Sequence, residues 1–102
     1  MEPSLAEIQR ELPEVANSFG ALFLQIMKEG ALTMKHKELI ALGIAVALQC
    51  EACIRIHVEK CRAAGCSKQE ILEASSVAVM MQGGPAYTHI PIVLDALKRN
   101  AT

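Results

Sequence analysis

The sequence predicts an all-α fold of five to six helices, built as a single domain over residues 1–102. Three observations predict it. Glycine and proline punctuate segments of helical periodicity, strand-like alternation is missing, and capping residues stand where helices should start and stop. A chain of 102 residues has the length of about one domain, and 52% apolar residues supply a core.

Pro3 and Pro13 can each occupy the first turn of a helix, where the missing N–H is harmless. The second of these helices runs near Pro13–Lys28 and stops before Gly30. Thr33 is the N-cap of a helix near Met34–Leu48, although Lys35, His36 and Lys37 in its first turn oppose the helix dipole. Gly65 ends a helix near Glu51–Ala64. Ser67-Lys68-Gln69-Glu70 is a capping box that opens a helix to about Gln82. Pro85 starts a last segment towards Lys98, bent at Pro91. Residues 39–48 are apolar on all sides, the mark of a helix buried all round. So small a chain has little interior to surround it, and neighbouring subunits are expected to complete the burial.

Charge and hydropathy exclude several functions. Ten Lys+Arg against eleven Asp+Glu leave −1, with no basic surplus to neutralise phosphates, so no nucleic-acid partner is expected. Residues 74–94 lack charge over a span long enough to cross a bilayer. Ser75, Ser76, Gln82, Gly83-Gly84-Pro85, His89 and Pro91 interrupt it, so no membrane association is expected. Met1-Glu2-Pro3-Ser4 offers no basic or apolar leader, which makes the cytoplasm the expected location. Four cysteines in that reducing compartment point to reactive or metal-binding thiols rather than staples.

The informative stretch is Gln49-Cys50-Glu51-Ala52-Cys53-Ile54-Arg55-Ile56-His57. On a helix starting near Glu51, residues Glu51, Arg55, Glu59 and Arg62 form one charged stripe that faces solvent. Cys53 and His57 then lie nearly opposite, with Cys50 on the same side. The helix N-terminus stabilises a thiolate. His57, one turn beyond Cys53, can take or return the thiol proton. The Cys-x-x-Cys spacing lets one sulfur attack an oxidant while the other closes a disulfide. The spacing leaves open which sulfur attacks. Two buried thiols packed beside a core His are the bland alternative. A metal site of Cys50, Cys53, His57 and Cys61 is another, but Cys53, His57 and Cys61 stretch along about 12 Å of helix. Glu38 stands out because its helical neighbours are Ala41, Leu42 and Ala45. A carboxylate at the edge of an apolar face is desolvated and suits a general base near neutral pH. The other reading is an exposed Glu paired with a Lys of its own turn. Twelve residues, about 18 Å of unbroken helix, separate Glu38 from Cys50, so a shared site needs the chain to turn back. Cys61 is expected on the helix flank, Cys66 exposed beside the Gly65 turn, His36 on a solvated basic turn, and His89 satisfied locally.

These residues resemble the AhpD-like alkylhydroperoxidases of the carboxymuconolactone decarboxylase superfamily. The family pattern is a Glu, eleven residues, Cys-x-x-Cys, three residues and a His; here it reads Glu38, Cys50, Cys53, His57. The flanks Lys37-Glu38-Leu39-Ile40-Ala41-Leu42 and Gln82-Gly83-Gly84-Pro85-Ala86 are similar too, and the likeness spans roughly residues 33–97. The resemblance implies homo-oligomers, trimers or hexamers, that reduce hydroperoxides without metal or organic cofactor. It implies that Cys53 attacks the peroxide, Cys50 condenses with the resulting sulfenic acid, and His57 with Glu38 relays protons. A lipoyl or thioredoxin-like dithiol protein is the implied reductant. The founding peroxidases carry a second His between the two cysteines; this chain has Ala52. Two other functions compete: a redox-sensing oligomeric module that does not turn over, and a small-lactone decarboxylase or isomerase using His57 as acid and base.

Overall fold

The computed structural model describes residues 5–99, and Met1–Ser4, including the helix start expected at Pro3, lie outside them. Among the described residues there are seven helical segments and no strand, so the all-α fold stands. They are α1 (Leu5–Glu11), α2 (Pro13–Met27), α3 (Met34–Ala47), α4 (Glu51–Ala63), α5 (Lys68–Gln82), α6 (Gly84–Tyr87) and α7 (Ile90–Arg99). The chain divides into two compact units between Gly30 and Ala31.

The first unit carries α1 and α2. Leu12 interrupts them, yet Leu12 N–H still donates to Ile8 O at 2.7 Å and Ala16 N–H to Leu12 O at 2.9 Å. These are the last bond of α1 and the first of α2; Leu12, at φ −134° and ψ 63°, breaks the helical repeat, and Pro13 stands at the first turn of α2 where its missing N–H does no harm. Gln9 Nε2 donates to Asn17 Oδ1 across this junction at 3.0 Å. Met27 is the buried residue of α2, and α1 has none.

In the second unit α3 packs between α4 and α5. Thr33 accepts from His36 N–H at 3.1 Å and starts α3 as the sequence predicts. The unfavourable first-turn charge is partly relieved because Lys35 Nζ pairs with Glu70 Oε2 at 3.0 Å. Ser67 and Glu70 make the predicted capping box: Ser67 Oγ accepts from Glu70 N–H at 3.0 Å, and Glu70 Oε1 accepts from Ser67 N–H at 2.7 Å. Glu70 is held below the usual carboxylate range, first by that backbone N–H and then by Lys35. The core consists of fully buried Leu42, Val46, Ile54, Val58, Ile71 and Val93, each stabilising the fold by about 1.5–3 kcal/mol. No helix of the described residues is long and apolar enough to cross a membrane.

Two expectations need correction. The C-terminal segment does not bend at Pro91. It breaks before it, at Thr88 and His89, and Pro91 sits in the first turn of α7. The break is closed locally: Thr88 Oγ1 donates to Pro85 O at 2.9 Å and His89 Nδ1 donates to the same oxygen at 2.8 Å. Nor is the charged stripe of α4 wholly a solvent face. Arg55 bonds both Glu51 (3.2 Å) and Asp95 of α7 (2.7 Å), and Arg62 is half-buried. The stripe is partly covered because α7 docks along it.

The all-apolar stretch of α3 divides into two faces. Leu42, Ala45 and Val46 are buried, while Ile40, Ile44 and Leu48 are exposed. An apolar groove of about 390 Å³ runs between α3 and α5 along that second face.

Candidate active site

The turn between α3 and α4 places the cysteines. It is a Schellman motif: Gln49 N–H donates to Val46 O at 3.1 Å, and Cys50 N–H to Ala45 O at 3.2 Å. The motif requires a left-handed residue after the C-cap, and Gln49 supplies it at φ 58°. Glycine is the usual occupant, so Gln49 holds an unfavourable backbone conformation immediately before the first cysteine. The sequence carries no local signal of this, because Gln is a poor guess for a left-handed position. Gln82 Nε2 donates to Ala47 O at 3.1 Å and ties the end of α5 to the same turn.

Cys50 has two structural roles. It closes the Schellman motif of α3 and is the N-cap of α4. Its Sγ accepts from Cys53 N–H at 3.3 Å, and its carbonyl accepts from Ile54 N–H at 2.9 Å. One sulfur thus meets an otherwise unpaired donor at the positive end of the helix dipole, an arrangement that favours a thiolate. Cys50 and Cys53 are joined as a disulfide, with Cα atoms 5.3 Å apart. Both residues are half-buried.

The reversal of the chain at this turn brings α3 back along α4. His57 Nδ1 lies 2.8 Å from Glu38 Oε1. Glu38 is one of two buried polar residues among those described, at 4% exposure, and its carboxylate is met by an imidazole, not a Lys of its own turn. Such a pair fixes the imidazole's orientation and tautomer, because a carboxylate can only accept from the Nδ1–H. Nε2 is then the ring nitrogen that can take and return a proton. The four residues named from the sequence thus fall on two packed helices: Glu38 on α3, and Cys50, Cys53 and His57 on or capping α4. The α3/α5 groove is lined by none of them.

The other two cysteines sit at the far end of α4. Gly65, at φ 91°, completes a second Schellman motif: its N–H donates to Arg62 O at 3.0 Å, and Cys66 N–H donates to Cys61 O at 2.9 Å. Cys61 and Cys66 occupy the two positions of this motif where an apolar contact is usual. Both are buried free thiols, so the expected exposure of Cys66 is corrected. The cap turns the Cys66 side chain towards Cys61, and the core formed by distant segments closes over both. Burial pushes the Cys61 thiol up to about 12, and burial raises Cys66 as well. Cys66 Sγ approaches Lys35 O at 3.9 Å. His36 is exposed, and His89 is satisfied by Pro85 O. Among the described residues, no group of three or more His, Cys, Asp or Glu side chains is arranged to hold a metal ion.

Comparison with known proteins places this geometry. The chain is 37% identical over 94 residues to uncharacterised protein 4 in the cox locus of Paracoccus denitrificans, covering 92% of this chain and 85% of that one. Its fold matches a solved carboxymuconolactone decarboxylase family protein from Legionella pneumophila at TM-score 0.90 and 37% identity, over 96% of this chain and 88% of that one. A Thermotoga maritima member of the same family, for which a role in the antioxidative response has been suggested, matches at TM-score 0.78 and 30% identity, over 93% and 87% of the two chains. The model of the carboxymuconolactone decarboxylase family matches residues 13–96, which include Glu38, both cysteines of the pair and His57. With its all-helical fold and its Cys-x-x-Cys pair, the chain belongs to the carboxymuconolactone decarboxylase family, in its AhpD-like form.

Proposed function

We propose that the protein is a thiol-dependent peroxidase that reduces hydroperoxides through Cys50 and Cys53, with His57 and Glu38 as its proton relay. The observation that carries this reading is the 2.8 Å contact between His57 and buried Glu38 on the helix that begins with the disulfide. In the reaction, the Cys53 thiolate attacks the terminal oxygen of a hydroperoxide and the O–O bond breaks. The departing alkoxide takes a proton relayed by His57 and leaves as an alcohol, and Cys53 becomes a sulfenic acid. Cys50, its charge held by the Cys53 N–H, attacks the sulfenic sulfur. The S–S bond forms and hydroxide leaves, protonated to water. A dithiol then exchanges with the disulfide and returns two thiols, being oxidised in turn. A lipoyl or thioredoxin-like protein of the cytoplasm fits that role, and the enzyme acts as a homo-oligomer, a trimer or a hexamer.

The test is a thiol count on the reduced protein after mixing with hydrogen peroxide or cumene hydroperoxide. Rapid loss of two thiols, recovered with dihydrolipoamide, is the expected result. Slow loss without turnover would make the protein a redox sensor. Turnover of a small lactone by a Cys50→Ser, Cys53→Ser double variant would make it a decarboxylase.

A further inference from the structure

Gln82 takes no part in the chemistry proposed above, yet it reaches the turn that carries Cys50 from a third helix. It is the last residue of α5, which ends there because Gly83 follows at φ 75°, a conformation that favours glycine. Gly83 N–H closes the helix on Val79 O at 2.7 Å, so the backbone fixes where Gln82 stands. Its exposed side chain crosses to α3, and Nε2 donates to Ala47 O at 3.1 Å. The last four carbonyls of α3 need donors that the helix itself does not supply. The backbone of the turn meets three of them: Leu48 N–H donates to Ile44 O at 2.8 Å, Cys50 N–H to Ala45 O at 3.2 Å and Gln49 N–H to Val46 O at 3.1 Å. Gln82 meets the fourth. Its bond completes the cap that Cys50 closes, beside a Gln49 whose left-handed backbone at φ 58° works against the turn.

The redox state of the pair decides when this bond matters. While the disulfide is closed, the S–S bond itself holds Cys50 against the first turn of α4. In the sulfenic acid and dithiol states that tether is gone, and the hydrogen bonds of the turn must hold Cys50. One neutral hydrogen bond shifts a closed-to-open ratio roughly five-fold. An attack within one molecule gains its rate from being held in place, so losing the bond falls on the step in which Cys50 attacks. We infer that Gln82 is a positioning residue: by capping Ala47 O it holds the Cys50 sulfur where it attacks the sulfenic sulfur of Cys53. In that step the S–S bond forms as the S–O bond breaks, and hydroxide leaves and takes up a proton as water. This adds a residue to the peroxidase reading and rests on it.

The experiment compares the full chain with Gln82→Met, which keeps the size and removes the donor, and Gln82→Lys, which restores a donor. Two quantities are read. One is the ratio of disulfide to dithiol at equilibrium with dihydrolipoamide and lipoamide, counted by alkylation and mass. The other is the rate of disulfide formation after mixing with hydrogen peroxide, with dimedone trapping the Cys53 sulfenic acid. Gln82→Met should shift the ratio roughly five-fold towards dithiol and slow condensation by a similar factor, so that more Cys53 is trapped. In a Cys50→Ser background, where only the first attack takes place, Gln82→Met should leave the rate of Cys53 oxidation within about twofold. Gln82→Lys should return both quantities to those of the parent. A merely structural role would slow both steps alike and would overturn the inference. So would a Gln82→Met protein with the parent's ratio or the parent's condensation rate, and so would a Gln82→Lys protein that stays shifted with Gln82→Met. A parent that loses no thiol to peroxide would overturn the peroxidase reading instead, and the equilibrium ratio would still decide whether Gln82 holds the pair.

Discussion

Helix α4 carries a cysteine pair at each end, and the two pairs live in opposite environments. Cys50 and Cys53 lie at its N-terminus, half-buried, beside free backbone donors and a histidine four residues on. Cys61 and Cys66 lie at its C-terminus, buried, where burial raises both thiols and Glu38 adds to the rise at Cys61. Both pairs involve a Schellman motif, the first through Cys50 closing α3 and the second through Cys61 and Cys66 closing α4. The difference teaches that position on the dipole and access to water, not the residue type, decide which thiols can do chemistry.

The harshest test of that contrast is deletion. Cys53→Ser should abolish hydroperoxide-dependent thiol loss, while Cys61→Ala should leave its rate within about twofold; thiol titration reads both. A Cys61→Ala protein that loses the activity would break the contrast. Next in size is the relay. His57→Asn or Glu38→Gln should slow peroxide consumption about 10²-fold, the usual contribution of a positioned proton-transfer group, with helix content retained.

The contrast is sharpened by alkylation of the reduced, folded protein at pH 8. Cys61, at about 12, carries on the order of 10⁻⁴ thiolate there, so iodoacetamide should label it at least about 10³-fold more slowly than Cys50, read by peptide mass. The same shift makes stability pH-dependent. Above the ordinary thiol value of 9.0 the unfolded chain loses a proton that folded Cys61 retains, so fewer protons are bound in the unfolded state. Stability contributed by this group is present below pH 9 and falls as pH rises towards 12, by at most about 4 kcal/mol, and Cys61→Ala should flatten that decline in denaturant melts. The smallest effect belongs to the turn. Gln49→Gly should raise stability by about 1 kcal/mol, seen as a higher denaturation midpoint at unchanged slope, because it removes the left-handed penalty at φ 58°.

Much of the helix plan is visible in local chemistry. Thr33, Ser67 with Glu70, and Gly65 act within a few residues of themselves, so their caps read directly from the chain. The C-terminal break is not legible in the chain, because Pro91 fits a helix start as well as a bend and the choice lies with hydrogen bonds to Pro85 O.

The candidate site divides the same way. Its residue types and the interval between Cys50, Cys53 and His57 belong to one helix, whose 3.6-residue period any sequence reader can apply. By itself, the sequence determined that helix, its caps and the proximity of the two sulfurs. Whether Glu38 would meet the imidazole or a neighbouring lysine was decided only when α3 folded back on α4, through a turn that holds Gln49 in a conformation its side chain disfavours. Burial of Cys66 was decided in the same way, by a long-range core that closes over the end of α4. The physical reason is that periodicity and capping are short-range forces written in neighbouring residues. Desolvation and a buried hydrogen-bonded pair depend on what distant segments bring, and these exist only once the helices have packed.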